Sequence, residues 1–149
     1  MDKFIIPFVD EIKNYALDGY YKEFSIRTKP DGSVVTDIDV LVEKKIIKIL
    51  KKEFPDDSIL GEETGLTKGV NDITWVIDPI DGTRAFSQHK PEWGVLVSRI
   101  VKNDISTGIV ICPVQDIYTA VHNNELITSS FDYDQIEITN KEDIIISCE

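Results

Sequence analysis

The stretch Trp75-Val76-Ile77-Asp78-Pro79-Ile80-Asp81-Gly82-Thr83-Arg84 sets the terms on which this chain can fold. An uncharged apolar run ends abruptly in two carboxylates, a proline and a glycine. A charge is costly in the middle of a buried strand and tolerable at its end, where it can leave the core and face a cleft. Pro79 has no N–H to place in a ladder and biases Asp78 away from the helical region. Gly82 permits close backbone approach, and Thr83 adds a hydroxyl. Asp78 and Asp81 repel each other at this spacing unless a cation or a proton lies between them. The pattern predicts a strand over residues 73–77 that delivers two acids to a rim, with a divalent metal as their counter-charge.

The chain has 149 residues, room for one domain with a real core. Its 27 acidic and 16 basic residues give a formal net charge of −11. That balance argues against nucleic acid and anionic membranes as partners, because both select basic patches. It suits a chain that gathers divalent cations. Cys112 and Cys148 are too few for a disulfide framework and lack metal-ligand spacing, so both read as reduced thiols in or near the core. The apolar patch near the N-terminus is interrupted by Pro7 and closed by Asp10-Glu11. It fits neither a signal peptide nor a membrane span, which leaves cytoplasmic residence as the expectation.

Ile5, Phe8, Ile12, Tyr15 and Ala16 recur at helical spacing and predict a helix over residues 2–21. A short strand over 24–29 and a turn at Pro30-Asp31-Gly32-Ser33 follow. Thr36, with Asp39 three residues later, approximates a capping box in which Asp replaces the usual Glu or Gln. A helix runs from there to about Glu53, with Ile38, Val42, Ile46, Ile49 and Leu50 as its apolar stripe. Lys44, Lys45, Lys48, Lys51 and Lys52 suit the end of its dipole and read as a solvated face. Residues 58–60 read as a short buried strand, 64–72 as a loop and 83–87 as a short helix. Strands are expected over 93–101, 106–112, 117–122 and 125–128, the last two around Asn123-Asn124, and over 136–139 and 144–147. The class is α+β, two N-terminal helices packed on a mainly antiparallel sheet.

A second acidic string, Gly61-Glu62-Glu63, ends the 58–60 strand. If that strand neighbours the 73–77 strand, Glu62, Glu63, Asp78 and Asp81 meet at one rim. Magnesium takes hard oxygen ligands at about 2.0–2.1 Å and leaves room for waters and phosphate. Glu62, Asp78, Asp81 and the Ile80 carbonyl are suitable donors. Gly82 and Thr83 offer backbone N–H groups at a helix start, where an anion can sit. A cation site beside an anion site describes metal-assisted hydrolysis of a phosphate ester. Singly, Gly61-Glu62-Glu63 reads as a solvated loop and Asp-Gly-Thr as turn chemistry; the two strings together are far more specific.

Three strings resemble the inositol monophosphatase superfamily, particularly its histidinol-phosphate-phosphatase-like branch. They are Lys29-Pro30-Asp31-Gly32-Ser33-Val34-Val35-Thr36-Asp37-Ile38-Asp39, then Phe54-Pro55-Asp56-Asp57 through Gly61-Glu62-Glu63-Thr64-Gly65, then residues 75–86. The resemblance implies the N-terminal part of a layered α/β sugar-phosphatase fold. It also implies a magnesium-dependent phosphomonoesterase with two or three Mg2+ ions, acting on a small phosphorylated alcohol such as histidinol phosphate or inositol monophosphate. By position it implies Glu62 as a first metal ligand, Asp78 as a carboxylate bridging two ions, and the Ile80 carbonyl and Asp81 as further ligands. Glu63 and Thr83 fall where the attacking water is oriented or activated, and Asp39 falls where an acid hydrogen-bonds the threonine. Gly82 and Thr83 match phosphate-binding amides, and Lys29 matches a basic residue near the outer ion. Arg84-Ala85-Phe86 resembles the histidinol phosphate branch more than the Thr-Asn-Phe continuation of inositol-type members. Arg84 either meets substrate or caps surface carbonyls.

Members of that superfamily continue well beyond this length and add a Trp-Asp-x-x-x-Gly motif whose Asp ligates the second metal. Here the tryptophans are Trp75 and Trp93, neither followed by Asp, and Asp132 and Asp134 do not match the motif. Residues 1–149 are therefore expected to form an N-terminal metal- and phosphate-binding domain without the usual C-terminal domain. Such a chain is a split phosphatase that needs a partner (a homo-oligomer or a complementing C-terminal chain), a self-contained but weakened phosphatase, or an impaired binding module acting through a partner chain.

Overall fold

The computed structural model describes residues 1–130. The strands expected over 136–139 and 144–147, and Cys148, lie outside the described residues. The elements run α1 (Asp2–Tyr20), β1 (Ile26–Thr28), β2 (Val34–Thr36), α2 (Asp37–Glu53), β3 (Ser58–Gly61), β4 (Gly65–Thr67), β5 (Ile73–Asp81), α3 (Thr83–Ser87), β6 (Gly94–Val101), β7 (Asp104–Cys112), β8 (Ile117–His122) and β9 (Glu125–Ser129). β1 and β2 pair with each other, and the other seven strands form one sheet in the order β4-β3-β5-β6-β7-β8-β9. Every pairing is antiparallel except that of β3 with β5. The α+β expectation holds, with a mainly antiparallel sheet.

α2 begins where its sequence says it should. The Asp39 N–H donates to Thr36 Oγ1 at 3.4 Å, and the Thr36 N–H donates back to Asp39 Oδ2 at 2.9 Å, so the capping box closes with Asp in the third helical position. Ile5, Phe8, Val9, Ile12 and Ala16 of α1 and Ile38, Val42, Ile46 and Leu50 of α2 are buried on one face of the sheet. There they meet the alternate residues Trp75 and Ile77, Val95 and Val97, and Ile109 and Ile111. Each large aliphatic side chain buried this way contributes about 1.5–3 kcal/mol. Trp75 also donates its indole N–H to buried Asp57 at 2.9 Å, and the Arg99 Nε donates to the same oxygen at 3.3 Å. Cys112 is buried at the end of β7, in the core position expected of it.

Three expectations change. Tyr15 is 38% exposed, with Lys45 Nζ 5.6 Å from its ring centre. The buried stripe runs through Ile5, Phe8, Val9, Ile12, Ala16 and Tyr20, which leaves Tyr15 at its edge. Residues 64–72 are not all loop. Gly65, at φ +73°, lets the chain reverse so that β4 pairs with β3, Gly61 opposite Gly65. β5 does not stop at Ile77 but continues to Asp81 through a register shift.

The sheet's other face is different. Val76, Leu96 and Val110 lie between the core residues of their strands, and Leu60, Val121 and Leu126 are 41%, 42% and 52% exposed. A groove of about 460 Å³ runs over this face, lined in part by Val76, Leu96, Val110 and Asp78. No helix among the described residues is long and apolar enough to cross a membrane.

Candidate metal and phosphate site

The irregularity in β5 decides where its two aspartates point. Leu96 of β6 lies opposite Asp78, and Gly94 lies opposite Asp81. Three steps along β5 are thus matched by two along β6. Residues two apart on a strand share a face, so Asp81 is returned to the face that Asp78 uses. A regular strand would have sent residues three apart to opposite faces. Pro79 suits this place, since the bulge asks no ladder N–H of it.

Glu62 is brought to the same rim by the one parallel pairing. Gly61 of β3 lies opposite Ile77 of β5, and the Glu62 N–H donates to the Ile77 carbonyl at 3.2 Å. Asp78 registers these neighbours. Its carboxyl is pushed up to about 7, first by burial, then by Glu62 and Asp81. Asp78 Oδ1 is buried and has no hydrogen-bond partner.

The glutamates are drawn to an ammonium. Lys29 Nζ donates to Glu63 Oε1 at 2.7 Å and to Glu62 Oε1 at 3.2 Å. Burial works against the lysine's charge, but Glu63 and Glu62 outweigh it and hold the group above its ordinary range. With the glutamates so turned, no three His, Cys, Asp or Glu side chains among the described residues are gathered closely enough to hold an ion. The donor set nevertheless suits a hard divalent cation. It offers carboxylate and carbonyl oxygens only, one of them buried without a donor.

On the other side of the rim, Thr83 Oγ1 lies 3.0 Å from Asp39 Oδ1 and 2.8 Å from the Ile80 carbonyl oxygen. Its one proton serves one of these acceptors at a time. Asp39 is 1% exposed, and Thr36 donates its hydroxyl to Oδ2 at 2.5 Å. Burial raises the Asp39 pKa, while the hydrogen bonds from Thr36 and Thr83 pull against that rise. Gly82 precedes α3 at φ +85°, and a Cβ there would lie 2.8 Å from the Glu92 carbonyl oxygen. No other residue fits that turn without displacing the backbone.

The structure joins Asp39 to Thr83 and brings Glu62 and Asp81 each near enough to Asp78 to raise its pKa, without gathering the three into one cluster. Glu63 meets Lys29 rather than Thr83. Arg84 is exposed. One residue escaped the sequence reading. Glu43, on the buried side of α2, accepts the backbone N–H groups of Glu63 and Thr64. Its signal was an acid at an apolar-stripe position, four residues after Asp39.

The fold and the rim define a class: an α+β domain in which one parallel strand pair and one bulge bring acids beside a glycine-threonine turn. The chain belongs to the inositol monophosphatase family, which matches residues 2–146. It is 36% identical over 112 residues to the Nus factor SuhB of Haemophilus influenzae, covering 72% of this chain and 42% of that protein. It is 37% identical over 91 residues to a histidinol-phosphatase of Mycobacterium tuberculosis, covering 61% and 35%. The solved structure of a Thermotoga maritima IMPase matches 84% of this chain and 50% of its own, with a TM-score of 0.75 at 26% identity. The chain spans half or less of the length of these relatives.

Proposed function

We propose that this chain carries the acidic half of a magnesium-dependent phosphomonoesterase whose substrate is a small phosphorylated alcohol, of the histidinol phosphate or inositol monophosphate type. Asp78 carries the reading: a buried carboxylate oxygen without a donor, on the face shared with Asp81 and beside Glu62. Family membership and the relative named histidinol-phosphatase support it. Glu62, Asp78, Asp81 and the Ile80 carbonyl would hold the metal, two or three ions in a complete site. Magnesium bound there supplies Lewis-acid polarisation of phosphate oxygens and a more acidic water.

The chain's own residues do the remaining work. Asp39 orients the Thr83 hydroxyl, and its burial keeps it a better proton acceptor than an exposed aspartate. Thr83 relays the proton of the attacking water to Asp39, and Glu63 is a second acceptor once released from Lys29. The Gly82 and Thr83 amides receive the phosphate, and Arg84 either reaches the substrate or stays at the surface. The test is phosphate release from both esters by the purified chain in Mg2+, with Asp78→Asn alongside. Release that requires Mg2+ and is largely lost in the variant is expected. Release unaffected by chelation contradicts the reading.

The sheet face left uncovered among the described residues favours a second reading, in which further polypeptide completes the site. Asp78 lines its apolar groove, and the relatives carry as much chain again or more. A segment equivalent to their other half would cover the face and supply a further metal ligand. A binding module without activity of its own, restored by that segment, is the outcome this reading expects. The name Nus factor belongs to the SuhB relative; the reading offered for this chain rests on its acids.

A further inference from the structure

We propose that Glu43 is a positioning residue: its buried carboxylate clamps the Glu62-Glu63 turn and thereby sets the chain's affinity for a divalent ion. Glu43 is fully buried. Its Oε2 accepts the Glu63 N–H and its Oε1 accepts the Thr64 N–H, each at 2.8 Å. Both oxygens are spent on one turn, so the turn is held by two charge-assisted bonds rather than by one pivot. Gly61 completes the fit. A Cβ there would lie 2.5 Å from both Cδ and Oε1 of Glu43. Gly61, Glu63 and Thr64 are therefore all shaped around one carboxylate, and Glu62 lies in the middle of them.

The placement on α2 gives this clamp its consequence. Asp39 and Glu43 are four residues apart, neighbours on one helical face. Asp39 grips the arm that carries Thr83, and Glu43 grips the arm that carries Glu62 and Glu63. One helical turn thus fixes the separation of the site's two arms. A buried charge is a costly way to satisfy two backbone amides. Here it restrains a glutamate that, with Asp78, would help to hold a divalent ion. The consequence for metal rests on the magnesium reading above; the clamp itself does not.

Glu43→Gln separates the two. It keeps the side chain's size but replaces one acceptor oxygen with an NH2 group, so one amide loses its partner. Two measurements are made on the full chain: amide hydrogen exchange at Glu63 and Thr64 without metal, and Mn2+ binding by electron paramagnetic resonance as a probe for Mg2+. Exchange at least about 10-fold faster at one or both amides is expected, with Mn2+ affinity about 10- to 100-fold weaker, the range typical for groups that orient a metal ligand. Gly61→Ala presses on the same carboxylate from the other side and should reproduce both changes if Glu43→Gln does not fold. Faster exchange with unchanged Mn2+ affinity leaves Glu43 a purely structural residue and overturns the inference. A wild-type chain that takes up no Mn2+ overturns the affinity claim and the magnesium reading together, and the exchange data then still decide the clamp.

Discussion

Asp78 is a residue placed at a disadvantage that a cation would remove. Its folded-state pKa of about 7 stands against an ordinary value of about 3.9 in the unfolded chain. Between those values the folded chain holds a proton that the unfolded chain has released, so metal-free stability falls as pH rises from about 4 to about 7. In Asp78→Asn this contribution disappears. Thermal unfolding in chelator should show the wild type losing ground to the variant across that window, and Mg2+ at pH 7.5 should reverse the order. Equal pH dependence in both would mean that Asp78 is not held at a raised pKa. How far single residues could be read from sequence varied with what they touch. The strand-end aspartates announced themselves because charge after an apolar run is abrupt. Asp39 and Thr83, 44 positions apart, could be joined only through the family resemblance. Glu43 stayed hidden because its one signal, an acid at the edge of the apolar stripe beside Val42 and Ile46, does not say what the carboxylate grips, and its partners lie 20 and 21 residues away.

At the scale of elements, α2 carries the arrangement. Its capping box both starts the helix and holds Asp39, since Thr36 donates from its backbone and its hydroxyl to the same oxygen. Thr36→Ala removes the hydroxyl and should cost about 1–2 kcal/mol in urea unfolding. It also removes a hydrogen bond that lowers the Asp39 pKa, so Asp39 should titrate higher by NMR than in the wild type. The helices were legible because their periodicity and caps are local. β4 was not, since it is three residues long, its Leu66 is 63% exposed, and only pairing with β3 defines it. The extension of β5 was hidden by Pro79, which reads as a strand end until the β6 register shows a bulge. The bulge rather than the sequence spacing places the two aspartates on one face.

At the scale of the molecule, α1 and α2 cover one side of the sheet, and among the described residues nothing packs over the other. Leu96 and Val110 are directly opposed on β6 and β7, and Asp78 lies opposite Leu96. An apolar surface of this kind invites a partner. Light scattering on the purified chain should show association, and Leu96→Lys with Val110→Lys should weaken it while leaving α1 and α2 packed. A chain that stays monomeric at all concentrations would count against a second copy as the cover and leave the complementing segment as its occupant. The antiparallel meander from β6 onward could be anticipated from turns and alternation. The parallel joining of β3 to β5 could not, since no local signal chooses it, yet this pairing brings Glu62 to Asp78.

The claim on which the rest depends is that these acids form one divalent site with Asp78 at its centre. Calorimetric titration of the chain with Mg2+ at pH 7.5, beside Asp78→Asn, tests it most directly. Saturable binding in the wild type, weakened at least about 10-fold in the variant, is the predicted result. No binding in the wild type, or binding of equal strength in both, would contradict it.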